Sequence, residues 1–197
     1  MTDNIRQGPG TGLIVLGGSA GSLQVIMELV PAIPDGFPVP LLLTLHRNGI
    51  FESGLEELLA SRTRLRVREV EEKEPIEPGT IYICPSDYHV LIEKDHSFSL
   101  DYSERVHYSR PSIDVCFRSA ADAYGPQLLA VLLSGANQDG AEGLEYVRMK
   151  GGTTVVQDPA TADVPVMPQS AISLLAPDHI LTPGEMPALI FRLPGKL

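Results

Sequence analysis

Three side chains that could together perform nucleophilic chemistry stand far apart in the chain: Ser19, His46 and Asp139. Serine is a weak nucleophile at neutral pH and needs a base that removes its proton. A histidine base in turn needs a carboxylate that fixes its tautomer and stabilises the imidazolium. The order of the three residues differs from that of familiar serine hydrolases, but a triad is defined by geometry and not by order. We therefore predict a nucleophile at Ser19, a base at His46 and an acid at Asp139.

Ser19 lies in the segment 17–21, whose sequence Gly-Gly-Ser-Ala-Gly has the G-x-S-x-G spacing of a nucleophile elbow. The first amides of a helix that follows such a turn point at the serine, so the Ala20 amide is a candidate donor to an oxyanion. The Ala136 amide, in the loop that holds Asp139, is the second candidate. A Gly-Gly-Ser turn after a first strand also occurs as a phosphate-binding loop or a plain tight turn, so the segment alone leaves those alternatives open.

The elements that must position these residues alternate between strands and helices. Continuous apolar runs, typical of strands covered on both faces, cover 13–16 before Ser19, 41–45 before His46 and 128–133 before the Asp139 loop. Further strands are predicted at 65–67, 81–84, 90–93, 98–100 and 153–156, and helices at 22–30, 52–61, 111–124, 141–149, 168–175 and 183–191. This pattern predicts an α/β fold with a doubly wound, mainly parallel β-sheet flanked by helices, and a β-hairpin insertion at 90–100. The carboxyl ends of parallel strands share one edge, where we expect the three side chains to meet.

Composition and charge narrow the classes of function. The 197 residues carry a formal net charge of −10, which disfavours nucleic acid and anionic membrane surfaces as partners. No apolar stretch approaches a membrane span and the first residues do not form a signal peptide, so we expect a cytoplasmic protein without direct membrane insertion. The length predicts one domain, over 13–193, after a polar N-terminal tail at 1–12.

Several residues with reactive or titratable side chains are predicted to be structural. Cys84 and Cys116 form neither a CxxC pair nor a disulfide framework, and we expect buried free thiols. Four histidines are predicted to be surface or loop residues: His89, His96, His107 and His179.

Several separated motifs occur in one order along the chain: Gly-Gly-Ser-Ala-Gly at 17–21, Arg-Pro-Ser-Ile-Asp-Val-Cys-Phe-Arg-Ser at 110–119, Leu-Ser-Gly-Ala-Asn-Gln-Asp-Gly-Ala at 133–141, Gln-Asp-Pro at 157–159 and Met-Pro at 167–168. Together they resemble the catalytic domain of CheB, the chemotaxis protein-glutamate methylesterase, from about 13 to 193. The resemblance implies a Ser-His-Asp triad at the three residues above and hydrolysis of glutamyl methyl esters on chemoreceptor proteins, with glutamine deamidation in some members. It implies no metal or organic cofactor.

The chain departs from the best-known members of that family in ways that bear on regulation and docking. Those members carry a receiver domain before the esterase, and only about a dozen residues precede Leu13, so we expect a stand-alone, receiver-free protein. Ala20 replaces a threonine of the elbow, and Ser22 a glycine. A receptor made of acidic helices needs a basic patch for docking, for which the candidates are Arg47, Arg64, Arg66 and Arg68. The alternative function is a non-catalytic module of the same fold that binds a helical partner or a phosphate-bearing ligand.

Overall fold

The computed structural model describes residues 12–46 and 54–191. The strands are β1 (Leu13–Gly18), β2 (Leu41–Leu45), β3 (Arg66–Glu69), β4 (Thr80–Ile83), β5 (His89–Ile92), β6 (Phe98–Asp101), β7 (Leu128–Leu132), β8 (Thr153–Gln157) and β9 (His179–Leu181). The helices are α1 (Ser22–Leu29), α2 (Leu55–Ala60), α3 (Ile113–Tyr124), α4 (Ala141–Met149), α5 (Val166–Leu174) and α6 (Met186–Ile190). Among the described elements, strands and helices therefore alternate along most of the chain.

Seven of the strands form one sheet in the order β3-β4-β2-β1-β7-β8-β9, in which every pair is parallel. β5 and β6 pair antiparallel as a separate hairpin. The predicted α/β class, with a mainly parallel sheet and a hairpin insertion, is confirmed. In the central strands Gly17 is in register with Thr44 on one side and Leu132 on the other, so the loops after β1, β2 and β7 leave the same edge of the sheet.

Two apolar clusters, one on each face of the sheet, explain why the central strands are apolar without alternation. Leu13 and Val15 pack into the cluster that includes α3, α4 and the hairpin, while Ile14 and Leu16 pack into the cluster that includes α1, α2 and α6. All four side chains are 0 to 1% exposed. A strand covered on both faces needs apolar residues at every position. The end of the apolar run therefore marks the point at which the chain leaves the core.

The structure differs from the sequence predictions at a few places. β9 was not predicted, because its three residues lie at the edge of the sheet and Ile180 is exposed, so no buried run marks it. The surface prediction for His89 is wrong, since it is buried on β5, with its ring between the Ser112 amide and the Glu104 carbonyl. Cys84 and Cys116 are buried free thiols, as predicted.

Part of the predicted tail, at 1–11, and the first residues of the helix predicted at 52–61 lie outside the described residues. Within the ranges that the structure describes, no helix has the length and apolar character needed to cross a membrane.

Candidate active site

Ser19 lies in a tight turn between the end of β1 and the start of α1. Its amide donates a hydrogen bond to the Ser134 carbonyl at 2.9 Å, which ties the turn to the end of β7. Its carbonyl accepts hydrogen bonds from the Ser22 amide at 3.0 Å and the Ser22 hydroxyl at 2.6 Å. The Ser19 backbone is therefore held from both sides, in the strand-turn-helix setting of a nucleophile elbow.

The two outer glycines of the elbow are sterically required. A Cβ on Gly17 would collide with the side chain of Ile113 at the start of α3. Gly21 has φ of +82°, and a Cβ there would lie 2.7 Å from Asp163 Cβ and 2.8 Å from Ser134 Oγ. A side chain at either position would displace the turn, so the G-x-S-x-G spacing has a packing cause in this fold.

His46 follows β2 directly, and its amide donates to the Gly18 carbonyl at 3.1 Å, which places it beside the elbow. Its Nε2 lies 2.8 Å from Asp139 Oδ2, and the His46 and Asp139 side chains are 12% and 0% exposed. The chain thus brings two of the three sequence-predicted residues into hydrogen-bond contact across 93 positions.

The Asp139 carboxylate is held by the first turn of α3. Its Oδ1 accepts hydrogen bonds from the Ser112 hydroxyl at 2.9 Å and the Asp114 amide at 3.0 Å, and its Oδ2 accepts one from the Ile113 amide at 2.8 Å. Burial raises the pKa of Asp139, but the hydrogen bonds from His46 and from the two amides outweigh it, so the pKa is lowered from its usual value. An ionised Asp139 accepts the Nε2 proton of His46 and leaves Nδ1 as the basic nitrogen.

A residue that the sequence did not point to contacts this basic nitrogen. Ser109 Oγ lies 3.3 Å from His46 Nδ1, whereas no hydrogen bond between Ser19 Oγ and His46 is present, both being described residues. Asn137 Nδ2 lies 3.5 Å from the same Ser109 hydroxyl. The only sequence signal for Ser109 is its position immediately before the motif at 110–119.

The candidate oxyanion donors are one amide of the elbow, that of Ala20, and one amide of the loop that holds Asp139, that of Ala136. The Ala20 and Ala136 amides make no hydrogen bond with another residue of the described ranges, and both residues are exposed. The Gly135 amide, in contrast, donates to the Val164 carbonyl at 3.0 Å and is occupied. The two alanine amides therefore stay the predicted donors.

A second histidine-carboxylate pair lies next to the first. His107 Nε2 is 3.4 Å from Asp114 Oδ2, and Asp114 Oδ1 accepts a hydrogen bond from the Gly143 amide. Burial raises the pKa of the 4% exposed Asp114 to about 6, with a further upward contribution from the charge of Asp139. His107 is a loop residue, as predicted, but it belongs to the surroundings of the site.

Three of the four arginines predicted to dock a partner, Arg64, Arg66 and Arg68, lie on or next to β3, at one edge of the sheet. Each of the three described ones has a carboxylate partner: Arg64 pairs with Asp35 at 2.6 Å, Arg66 with Glu77 at 2.6 Å and Arg68 with Glu74 at 2.5 Å. Their charges are locally balanced, and β3 is separated from β1 by two strands, so their docking role stays a prediction. Arg47 lies outside the described residues.

A serine at a strand-to-helix elbow, beside a histidine-carboxylate pair at the carboxyl edge of a parallel sheet, is the arrangement typical of the class of serine hydrolases. Among residues 12–46 and 54–191, no group of three or more His, Cys, Asp or Glu side chains is arranged to hold a metal ion.

Comparison with known proteins places the chain in the CheB methylesterase family, whose family model matches residues 14–190. A protein of Leptospira interrogans named putative protein-glutamate methylesterase/protein-glutamine glutaminase is 41% identical over 180 residues, covering 91% of this chain and 93% of that protein. Protein-glutamate methylesterase FrzG of Myxococcus xanthus is 33% identical over 180 residues, or 91% of this chain and 54% of that protein.

A solved structure agrees with these sequence matches. The crystal structure of the Thermotoga maritima CheB methylesterase catalytic domain has a TM-score of 0.88 and 31% identity, and the match covers 94% of this chain and 100% of that one. The chain therefore spans nearly the whole Leptospira relative, but about half of FrzG.

Proposed function

We propose that this protein hydrolyses glutamyl methyl esters on a methyl-accepting chemoreceptor or a similar methylated protein, with Ser19 as nucleophile. The observation that carries the proposal is the buried His46–Asp139 contact of 2.8 Å beside the Ser19 elbow. The names of the relatives support the substrate class, since both the Leptospira protein and FrzG are named protein-glutamate methylesterases.

In the first half of the reaction, Ser19 Oγ attacks the ester carbonyl carbon while His46 Nδ1 takes the hydroxyl proton. Asp139 stabilises the resulting imidazolium through Nε2. The developing oxyanion is stabilised by the amides of Ala20 and Ala136, which face no competing acceptor among the described residues. His46 then returns the proton to the departing methoxy group, and methanol leaves an acyl-enzyme.

In the second half, His46 takes a proton from water, and the hydroxide attacks the acyl carbon. Collapse of the second tetrahedral intermediate releases glutamate and returns the proton to Ser19. A glutamine side chain can follow the same route with ammonia as the leaving group, and we include this deamidation in the proposal because the Leptospira relative is also named a glutaminase. A cytoplasmic location and a receiver-free form stay predictions.

The test is labelling with a fluorophosphonate, which reacts with an activated serine. With both proteins shown to be folded, the wild type should be labelled and Ser19→Ala should not. Ser170→Ala is the matched control, because its hydroxyl only donates to the Val166 carbonyl within α5. A folded wild type that is never labelled would contradict the proposal and favour a non-catalytic binding module.

A further inference from the structure

The turn from Val106 to Ser109 places one aromatic side chain in solvent next to the site. Val106 and Ser109 exchange two backbone hydrogen bonds, at 3.1 and 2.8 Å, which close a tight turn around His107 and Tyr108. Tyr108 is 95% exposed, the highest value among the exposed large hydrophobic residues of the described ranges. Its side chain therefore contributes almost nothing to the packing of the free protein.

The backbone of this turn is held in an unfavourable conformation. His107 and Tyr108 have φ of 48° and 62°, in the left-handed region where glycine or asparagine is preferred. Each such residue costs on the order of 1 kcal/mol relative to an unstrained one. A tyrosine that adds strain and packs against almost nothing in the described ranges does not contribute to the stability of the fold, so its role must be sought elsewhere.

The turn is fixed to the candidate site by the residues on both sides of Tyr108. Ser109 Oγ lies 3.3 Å from His46 Nδ1, and His107 Nε2 lies 3.4 Å from Asp114 Oδ2. Consecutive Cα atoms are only about 3.8 Å apart. Tyr108 therefore projects from a point one residue away from the group that contacts the candidate base.

A comparison with Tyr102, on the same segment, shows what is unusual about Tyr108. Tyr102 is 67% exposed but packs against Tyr88, with ring centroids 5.6 Å apart, and lies under the Arg110 guanidinium at 3.9 Å. Tyr102 thus has partners within the chain. Tyr108 has no ring or cation partner among the described residues, and its exposure leaves its ring available to a partner outside the chain.

From this geometry we infer that Tyr108 is a specificity-determining residue that docks the helix carrying the glutamyl ester. The inference rests on the proposed function. A helix that presents a glutamyl side chain to Ser19 has the residues of its next turn only about 5.4 Å further along its axis, so it also covers residues around the candidate base. Tyrosine is among the residues that contribute most to binding at protein interfaces, since it buries a large area with few rotatable bonds.

The experiment compares two esters. One probe is a synthetic two-stranded coiled-coil peptide with a single exposed glutamate γ-methyl ester, and the other is the γ-methyl ester of N-acetylglutamate amide; methanol release is measured for both. Tyr108→Asn removes the ring and keeps a residue that tolerates a positive φ. For the coiled coil we expect KM to rise and kcat/KM to fall about tenfold, with kcat unchanged. Turnover of the small ester and fluorophosphonate labelling should stay at wild-type values.

Two further variants complete the design. Tyr108→Phe should retain wild-type KM on the coiled coil. Met149→Ala should leave both esters unaffected, because Met149 is 76% exposed at the end of α4, away from the sheet edge at which that helix begins.

A wild-type KM for Tyr108→Asn on the coiled coil would overturn the inference, and so would an equal loss on both esters, which would assign the turn to the chemistry. Failure of the proposed function looks different: the wild type would then release methanol from neither ester, or Ser19→Ala would retain turnover.

Discussion

Asp139→Asn tests the proposed role of the acid most directly, because the structure defines what each carboxylate oxygen does. Oδ1 faces the Ser112 hydroxyl and the Asp114 amide, and Oδ2 faces His46 Nε2 and the Ile113 amide. Every one of these groups can donate. An asparagine has one oxygen and one NH₂ group, so it must direct a donor at a backbone N–H whichever way it is turned.

The two orientations of the asparagine have different consequences for His46. If the NH₂ group faces Asp114, one amide loses its acceptor and the imidazolium loses its counter-charge. If it faces Ile113, His46 must accept at Nε2 and carry its proton on Nδ1, which is the wrong tautomer for a base. Turnover should fall by about 10³ to 10⁴ in either case. One unsatisfied buried amide should lower the free energy of unfolding by about 1–3 kcal/mol.

The assay is methanol release from the small γ-methyl ester, with chemical denaturation measured on the same samples. Asp122→Asn is the matched control, because Asp122 lies near the opposite end of α3 and pairs with Lys150 at the surface. A folded Asp139→Asn protein with turnover within tenfold of the wild type would refute the assignment of Asp139 as the triad acid.

Two further predictions concern the neighbours of the site. In Ser109→Ala, His46 Nδ1 loses a competing hydroxyl worth about 0.5–1.5 kcal/mol, so fluorophosphonate labelling should become about two- to tenfold faster; slower labelling would mean that Ser109 positions the ring instead. The pKa of Asp114 is raised from 3.8 to about 6, so between these pH values the native state holds a proton that the unfolded chain has released. The free energy of unfolding should therefore fall as pH rises through this interval, by up to about 3 kcal/mol. Asp114→Asn, next to His107 and Asp139, should abolish that decline in denaturation curves recorded between pH 3.5 and 7, and an unchanged pH dependence would show that another group causes it.

Much of the site could be predicted because strand ends in a parallel sheet share an edge. The apolar runs that became β1, β2 and β7 fixed where the chain leaves the core, and Ser19, His46 and Asp139 follow those runs. The hairpin followed from two short strands joined by a polar turn at 94–96, and most helix positions followed from helical spacing.

The contacts around the three candidate residues could not be predicted, because they depend on tertiary packing and not on local sequence patterns. Ser109 reaches His46 across 63 positions only because the segment after β6 folds back over the sheet edge, and no local pattern encodes that path. The helix beginning near Pro111 was predicted, but not that its first amides surround Asp139, because that contact depends on how α3 packs against α4. β9 was missed because an exposed edge strand needs no apolar run.

The anchoring of Asp139 by two amides of α3 has a consequence for how the integrity of the site can be followed. The Ile113 and Asp114 N–H groups donate to the carboxylate at 2.8 and 3.0 Å instead of to a carbonyl of the helix. Their exchange with solvent deuterium therefore requires the acid to leave its position, or the helix to unwind. Native-state hydrogen exchange at these two amides would therefore measure how often the site opens, and it needs no substrate. The rates can be compared with those of amides at the centre of the sheet. Similar rates would mean that the acid is released only when the whole domain unfolds.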